Sequence, residues 1–441
     1  MKRALLIFPR EKGRRVSTDT WRPFPMLGLT VLASLFPHDW DITIVNEVIE
    51  RVDLDAEIDF VGLTALTCTA NRAYFLADEF RKRGKTVVIG GVHASLVPEE
   101  AKAHADSVLV GEAEGIFSGL ISDYEAGCLK PFYRSETFFD LRQEPLPRRD
   151  LLSSRYSRFF KSIEITRGCP NRCEFCSVPI INGLRYRTRS IPQIDNELSS
   201  IIRRKGEYLF LTDDNIIAQP KFAAELFQVF KKYELKWMGF CTLQIARNPE
   251  LLALARGSGC ISLFIGFESL NQENLDGARK TFLDTNELTA LIKRIQDHGI
   301  GIQGAFIFGF DHDEEDVFRR TVDFVHETHI ELPTFSVLTP FPGTPLRKRL
   351  EGEGRIFDNH WPHYDMSHVV FTPKLMSSGK LQEGYLWAQK YCCSPRSILG
   401  RLLSGPKNHF LHFLMSNFVL RRAQMEIVNR LRYHPFGTDS S

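Results

Sequence analysis

The sequence predicts an α/β protein in three parts: a Rossmann-like parallel sheet over residues 1–140, a partial (β/α)6 barrel over 141–375 and a helical C-terminal region over 376–441. Three observations predict it. Short apolar runs alternate with amphipathic stretches along most of the chain, as in strands joined by helices into parallel sheets. Many of these runs end in glycine or acidic residues, as the ligand-facing carboxyl ends of such strands do. The stretch from His409 to Arg422 is apolar with basic flanks, as in a helix. A chain of 441 residues that is 43% hydrophobic and 25% charged has the composition of a globular protein of two or three domains. A net charge of +2 gives no global electrostatic case for nucleic acid as a partner.

In the first part, residues 4–8 (Ala-Leu-Leu-Ile-Phe) read as a buried strand. Pro25-Met26-Leu27-Gly28-Leu29 leads into a helix reaching about Phe36. Residues 41–45, 60–64, 86–91 and 107–112 read as four further strands, and 71–83 as a helix with one apolar stripe. Such sheets bind ligands beyond the carboxyl ends of their strands. The loops expected there are Thr64-Ala65-Leu66-Thr67, Gly90-Gly91-Val92-His93 and Gly111-Glu112-Ala113-Glu114. Glycine lets a backbone approach a ligand closely, so Thr64, Gly90, Gly91 and Glu112 are the candidate contacts.

In the second part, residues 160–167 read as a strand running into Gly168. Residues 208–212 form a strand closed by Asp213-Asp214-Asn215, followed by a helix over 220–233. Strands follow at 237–242 with Gln244 just beyond, at 261–268 ending in Glu268, at 304–310 carrying Gly309, and at 334–339. That makes six units of an open barrel, a fold that keeps its chemistry on the loops after its strands. Acids at buried strand ends are costly unless paired or used. Arg185, Arg187 and Arg189 alternate on an extended segment and share one face, suited to an anion or to a solvated edge. Pro340-Phe341-Pro342-Gly343-Thr344-Pro345 is a rigid turn at the barrel mouth.

Cys169-Pro-Asn-Arg-Cys173-Glu-Phe-Cys176 is the segment that carries most chemistry. A 4Fe-4S cluster is held by cysteine thiolates, and three thiolates leave one iron open to chelate a small molecule through an amine and a carboxylate. This spacing, with the aromatic Phe175 before the third cysteine, resembles the motif of the radical S-adenosylmethionine (SAM) superfamily. There the cluster passes one electron to bound SAM and a C–S bond breaks to give a carbon radical. Zinc takes four ligands in paired sets, and no fourth Cys or His lies nearby, which disfavours a zinc knuckle. Cys241 and Cys260 fall in apolar strands and read as core residues, and the Cys392-Cys393 pair is a weak signal of reactivity.

The order Pro-x-Leu-Gly-Leu, Val-Gly-Leu-Thr, Ile-Gly-Gly-Val-His-Ala and Val-Gly-Glu-Ala-Glu, followed by the cysteine motif, resembles the cobalamin-binding-domain class of radical SAM proteins over about residues 1–375. The resemblance implies a radical SAM barrel with Cys169, Cys173 and Cys176 on a 4Fe-4S cluster. It also implies SAM contacts from Phe175, Asp213, Asp214, Asn215, Gln244, Glu268, Gly309 and Arg187. Its activity would be cobalamin-dependent methylation of an unactivated carbon, with cobalamin carrying the methyl group and a 5′-deoxyadenosyl radical abstracting hydrogen. Radical cyclisation or C–C coupling of a lipid-like substrate is the alternative within the class, and a non-catalytic metal-binding protein the alternative outside it. An external flavodoxin- or ferredoxin-type electron donor and a small-molecule or lipid-like substrate are the implied partners. The Asp-x-His-x-x-Gly stretch that supplies an imidazole to cobalt in many cobalamin proteins is absent. Cobalamin is therefore expected base-off, with His93 packed under its glycine turn and not a ligand.

From Ser394 on, Arg396, Arg401, Lys407, Arg421, Arg422, Arg430 and Arg432 face only Glu426 and Asp439. The tail reads either as a helix at a membrane surface or as one packed on the barrel with its arginines in solvent. No apolar run reaches the length of about 18 residues that a spanning helix needs, and residues 1–10 have too short an apolar run for a signal peptide. Nine cysteines without such a signal point to the reducing cytoplasm, with peripheral contact at the inner face of the membrane on the first reading of the tail.

Overall fold

The computed structural model describes residues 1–10, 27–153, 161–405 and 408–433. The expectations at Pro25, Met26, Phe160, Lys407 and Asp439 lie outside the described residues.

Strands β1 (Lys2–Phe8), β2 (Trp40–Asn46), β3 (Phe60–Thr64), β4 (Thr86–Gly90), β5 (Ser107–Val110) and β6 (Phe132–Arg134) form one sheet in the order β2-β1-β3-β4-β5-β6. Every neighbouring pair is parallel. Both faces are covered, which is why β1, β3, β4 and β5 read as continuous apolar runs, whereas the edge strand β2 alternates buried and exposed residues. Leu5, Ile7, Val61, Leu63, Val87 and Ile89 pack on the helix Ala70–Lys82 side. Ala4, Leu6, Phe60 and Val88 pack with helices Leu27–Ser34 and Phe117–Glu125. Phe60 is a node of the second core, edge-on to Phe36, Trp40 and Tyr124 at 5.8, 5.9 and 5.3 Å. The order in which strands are added reverses at β1, with β2 on one side and β3 on the other, so the crevice at the carboxyl ends of β1 and β3 is the topological switch point. Strand β6 has only three residues, too few to show a period in the sequence.

The second sheet contains β7 (Lys161–Ile163), β10 (Tyr208–Leu211), β11 (Lys236–Cys241), β12 (Cys260–Glu268), β13 (Gly301–Phe308) and β14 (Leu332–Val337), in the order β14-β13-β12-β11-β10-β7. All its pairs are parallel and its two edges do not meet, giving an open barrel. Alternation sorts its side chains. Leu209, Leu211, Trp237, Leu263, Ile265, Phe306 and Phe308 are buried outward under the helices. Phe210, Met238, Phe240, Phe264, Ala305 and Ile307 form the other, half-buried set that faces the barrel interior. The single strand expected over 160–167 is instead broken. Lys161–Ile163 joins the barrel, whereas β8 (Thr166–Arg167) pairs antiparallel with β9 (Arg187–Thr188). The bend is made by Asp213, whose Oδ1 accepts from the amides of Ile165 and Thr166 at 3.1 and 2.5 Å and from Thr166 Oγ1 at 2.7 Å.

Helices Ser378–Cys392, Pro395–Ser404 and Phe410–Tyr433 close the far side of the barrel. Their arginines are not all in solvent as the packed-helix reading expects. Arg401 is 1% exposed, donates to the carbonyls of Ile330 and Cys392 and to Asn417 Oδ1, and so ties all three of these helices to the chain entering β14. Arg421 reaches the carbonyl of Cys393, and Arg430 pairs with Asp365. Phe413 is buried against Gly301, where a Cβ would strike its ring. Among the described residues no helix is long and apolar enough to cross a membrane.

Candidate active site: a thiol cavity and a glycine-lined cavity

The loop after β8 carries all three motif cysteines into one cavity of ≈190 Å³ at the barrel mouth, lined also by Phe175, Asp214, Asn215, Phe240, Phe264, Glu268 and Lys280. The loop leaves the strand through Gly168 at φ +91, where a Cβ would lie 2.4 Å from the carbonyl of Arg185. All three cysteines are free thiols. Burial pushes each thiol up, Cys176 to about 12, while Lys280 pulls Cys173 back down. Thiols so placed ionise when a metal takes the proton's place. Each thiolate of a cubane binds a different iron, so the three need only share a cavity. A single zinc needs convergence, and among the described residues no three His, Cys, Asp or Glu side chains converge that way.

The cavity wall opposite the thiols suits a small zwitterion. Asn215 is 4% exposed and its Oδ1 has no hydrogen-bond partner, a deficit that a bound amine or hydroxyl corrects. Asp214 accepts from the amide of Gly168 and from Asn182 Nδ2, which leaves its carboxylate facing the loop. Glu268 sits at φ +64, beside a register shift between β12 and β13. Such a bulge re-aims a side chain, and the left-handed backbone of a non-glycine residue is strain of the kind found at functional sites. Lys280, 6% exposed, donates to Glu268 Oε1 at 2.6 Å and to the carbonyl of Gly266 at 2.8 Å. The donor set and the partnerless Asn215 oxygen fit a 4Fe-4S cluster with SAM beside it.

The second cavity, ≈340 Å³, opens at the switch point of the first sheet. Phe8 and Thr64 line it at the ends of β1 and β3, with Gly28, Gly62, Gly90, Gly91 and Gly111. At Gly62 a Cβ would lie 2.7 Å from Leu6 Cδ2, and at Gly91, φ +90, it would lie 2.5 Å from Thr64 Oγ1. The glycines keep a flat, open floor beneath the strand ends, which fits a large planar cofactor. His93 lines neither this cavity nor the polar recess beside it. It is fully buried, 3.3 Å from Thr67 Oγ1 and edge-on to Trp361 at 5.0 Å, as the packed-histidine expectation has it.

Five expected site residues stand elsewhere. Asp213 is buried under the cysteine loop, with its three donors all on Oδ1 and no hydrogen-bond partner on Oδ2, and burial pushes its carboxyl up to about 7. Gln244 is exposed on a 3-10 turn over Leu243–Arg247 that rotates it away from the cavity. Gly309 does not line the cavity either. Its φ of +107 serves a turn in which its amide donates to Asp313, and a Cβ would meet Leu381 at 2.9 Å. Arg187 and Glu112 are partners of each other, Nη2 to Oε1 at 2.8 Å, at the junction between the two sheets. Neither Asp214 nor Asn215 caps a helix, since the following one starts from Gln219. Lys280 was not legible as a site residue: it lies on a loop, away from any strand end, and reaches back to Glu268 only in the fold.

An open barrel with three free thiols over its mouth, joined to a switch-point sheet with a glycine floor, defines a radical SAM protein that carries a second cofactor domain. Comparison with known proteins agrees. The Radical SAM superfamily model matches residues 163–325, and the B12 binding domain model matches residues 23–121. The chain belongs to the radical SAM superfamily, in the branch with an N-terminal B12-binding domain. It is 33% identical to bacteriochlorophyllide d C-12(1)-methyltransferase of Chlorobaculum tepidum, over 95% of this chain and 93% of that one. It is 31% identical to the C-8(2)-methyltransferase of the same organism, over 88% and 89%. The hopanoid C-2 methylase of Rhodopseudomonas palustris is 28% identical over 80% and 71%. Among solved structures, the radical SAM methyltransferase TsrM of Kitasatospora setae, bound to cobalamin and a 4Fe-4S cluster, superposes with a TM-score of 0.69 at 17% identity. That match covers 98% of this chain and 100% of that one, and shows the shared fold.

Proposed function

We propose that this enzyme methylates an unactivated carbon of a polycyclic, apolar substrate, and that this substrate is a chlorin pigment of the bacteriochlorophyllide type. The observation that carries the reading is the pairing of the thiol cavity with the glycine-floored cavity in one chain. The two methyltransferases reported above at 33% and 31% identity, both named for bacteriochlorophyllide d, favour the pigment over a hopanoid lipid. The barrel interior is in keeping with an apolar guest: Phe240 stands 5.6 Å from Phe210 and 4.6 Å from Phe264, with Met238 and Ile307 in the same half-buried set.

When bound, the cluster supplies the electron that breaks a C–S bond of SAM, and cobalamin supplies the methyl group. Cys169, Cys173 and Cys176 would hold the cluster. In this reading the Lys280 ammonium takes the SAM carboxylate, Asp214 and Asn215 accept from its amine, and Glu268 accepts from a ribose hydroxyl. Phe240 and Phe264 keep water from the reacting centre. Thr64, Gly90 and Gly91 would floor the cobalamin site, with no imidazole ligand from this chain's described lining residues. Asn215→Leu is expected to raise the SAM concentration for half-maximal cleavage by about tenfold, the loss of one hydrogen bond to a charged group, with iron content unchanged. An unaltered SAM dependence would remove Asn215 from the site. The substrate reading is tested by anaerobic incubation of the reconstituted enzyme with methyl-deuterated SAM and, in separate arms, bacteriochlorophyllide d or a hopanoid. Label in the pigment supports it, label in the hopanoid alone contradicts it, and SAM cleavage without label transfer in either arm points to non-methylating radical chemistry.

The electron donor in this reading is a flavodoxin or ferredoxin, and all nine cysteines are free thiols, in keeping with a reducing compartment. The tail would rest on an anionic membrane surface. Phe413 and Leu414 pack helix Phe410–Tyr433 onto the protein, while Leu411, Met415 and Phe418 stay exposed at 69%, 49% and 46% on another face. Leu399 and Leu403 are exposed on the adjoining helix, and Arg396 and Arg422 are exposed nearby in sequence. Apolar burial and roughly 1 kcal/mol per base make such contact reversible and salt-sensitive. Replacing Leu411, Met415 and Phe418 together by Asp is expected to reduce low-salt sedimentation with phosphatidylglycerol vesicles by about tenfold or more, with SAM cleavage intact. Equal sedimentation of both proteins would leave the helix as barrel packing alone.

A further inference from the structure

Arg167 lies two residues before Cys169, and its guanidinium meets four carboxylates. Glu164 is at 2.7 Å, Glu144 at 2.6 Å, Glu114 at 2.8 Å and Glu112 at 3.2 Å. These come from three places. Glu164 is on the arginine's own turn, Glu144 is on the segment that connects the two sheets, and Glu112 and Glu114 are on the loop after β5. That last loop leaves its strand through Gly111 at φ +87, and Gly111 and Glu114 both line the glycine-floored cavity. The residue at the base of the loop that carries the thiols therefore grips, through its side chain, the loop that walls the other cavity.

The surrounding contacts hold both loops to the same point. Glu112 also takes both Nη atoms of Arg187, at 3.0 and 2.8 Å, and the amide of Phe139 at 2.7 Å. Glu144 faces Arg189 at 3.4 Å, and Arg189 and Arg149 both reach the buried Glu197. Arg167, Arg189, Glu112, Glu144 and Glu197 are each less than a tenth exposed. Leaving one of these charges buried without its partner costs several kcal/mol, so the two sheets cannot rock apart at this edge without disrupting the whole set. Interfaces between domains of one chain are otherwise free to move. A guanidinium offers five donors in a fixed fork, whereas an ammonium is a point charge, and here the fork is divided among four acceptors.

We infer that Arg167 is a positioning residue that fixes the cysteine loop against the glycine-floored cavity, so that cluster and cobalamin face each other at one separation. The inference rests on the cobalamin reading above. It separates two properties: SAM cleavage needs the thiol cavity alone, whereas methyl transfer needs the two cavities in register. The junction has an independent fastening on another side, where Trp361 Nε1 donates to Glu100 at 2.7 Å and Asn71 meets His360 at 3.2 Å. That fastening keeps the two parts together when Arg167 is changed.

The test uses full-length enzyme reconstituted with iron, sulfide and cobalamin, in the wild type, Arg167→Lys and Glu112→Gln forms. Pulsed EPR reads the dipolar coupling between cob(II)alamin and the reduced cluster. Hydrogen exchange reads the backbone of residues 111–116. Both variants are expected to keep their iron and to cleave SAM within about twofold of wild type, while the distribution of dipolar couplings broadens. Exchange over 111–116 is expected to rise by about tenfold, the shift that loss of one charge-assisted hydrogen bond produces. An unchanged coupling distribution and unchanged exchange in both variants would overturn the inference. So would loss of iron from Arg167→Lys with exchange unaltered, which would confine the arginine to the integrity of its own loop. If Arg167→Lys yields no soluble protein, Glu112→Gln decides by the same criteria. Absence of a cob(II)alamin signal from the wild type contradicts the cobalamin reading itself, and exchange over 111–116 in the variants then decides the role of Arg167.

Discussion

Cys176→Ala protein, reconstituted anaerobically, is expected to lose its iron and more than about 100-fold of its SAM cleavage, since even the outer partners of metal ligands are worth 10–100-fold. Cys176 has the strongest upward shift of the three thiols, caused by burial. An alanine there removes a thiol that no neighbour on the loop replaces: Cys241 also lines the cavity, but it stands on β11 and its side chain is packed in the core. The change is small in volume and leaves the barrel strands untouched, so far-UV circular dichroism and the unfolding temperature of the metal-free chain should match wild type. Iron content and 5′-deoxyadenosine formation under a low-potential reductant are the readouts. A Cys169, Cys173 and Cys176 triple alanine variant that still cleaves SAM would refute the site.

Gly28→Trp is expected to abolish cobalamin retention while SAM cleavage persists. Gly28 lines both the glycine-floored cavity and the polar recess next to it, on the first turn of helix Leu27–Ser34. A Cβ added there meets nothing within 4 Å, so the indole has room to enter without displacing backbone. Replacing glycine in a helix also removes a local cost of up to about 1 kcal/mol, which acts against unfolding. The variant therefore blocks the space and not the fold. The optical spectrum of protein from cells supplied with cobalamin is the measurement. Retention at the wild-type level would mean that cobalamin, if bound, sits elsewhere.

Much of the architecture is legible from short-range pattern. Residues 60–64 read as a strand with the boundaries the structure has, because Phe60 and Val61 are buried on opposite faces and Thr64 ends the run at the ligand edge. The three motif cysteines are legible as one site because all three lie within eight residues of one loop. Features made by distant side chains are not legible in the same way. The break between β7 and β8 is set by Asp213, which approaches from the end of β10. Gln244 looks like a strand-end residue until the 3-10 turn rotates it outward. Arg187 alternates with its neighbours as if facing an anion, and the anion proves to be Glu112 from the other domain. Arg401, one base among many in a basic tail, is the buried clamp of the C-terminal helices. In each case local sequence states the residue type but not the partner that decides its role.

The central claim is that one chain holds an iron–sulfur cluster on its three motif thiols and cobalamin over its glycine floor. Metal and corrinoid analysis of wild-type protein, purified without oxygen from cells supplied with cobalamin, tests it most directly. The expected result is about four irons per chain, the content of one cubane cluster, together with cobalamin whose optical spectrum is that of the base-off form. Zinc in place of iron, or iron without any bound corrinoid, would contradict the account.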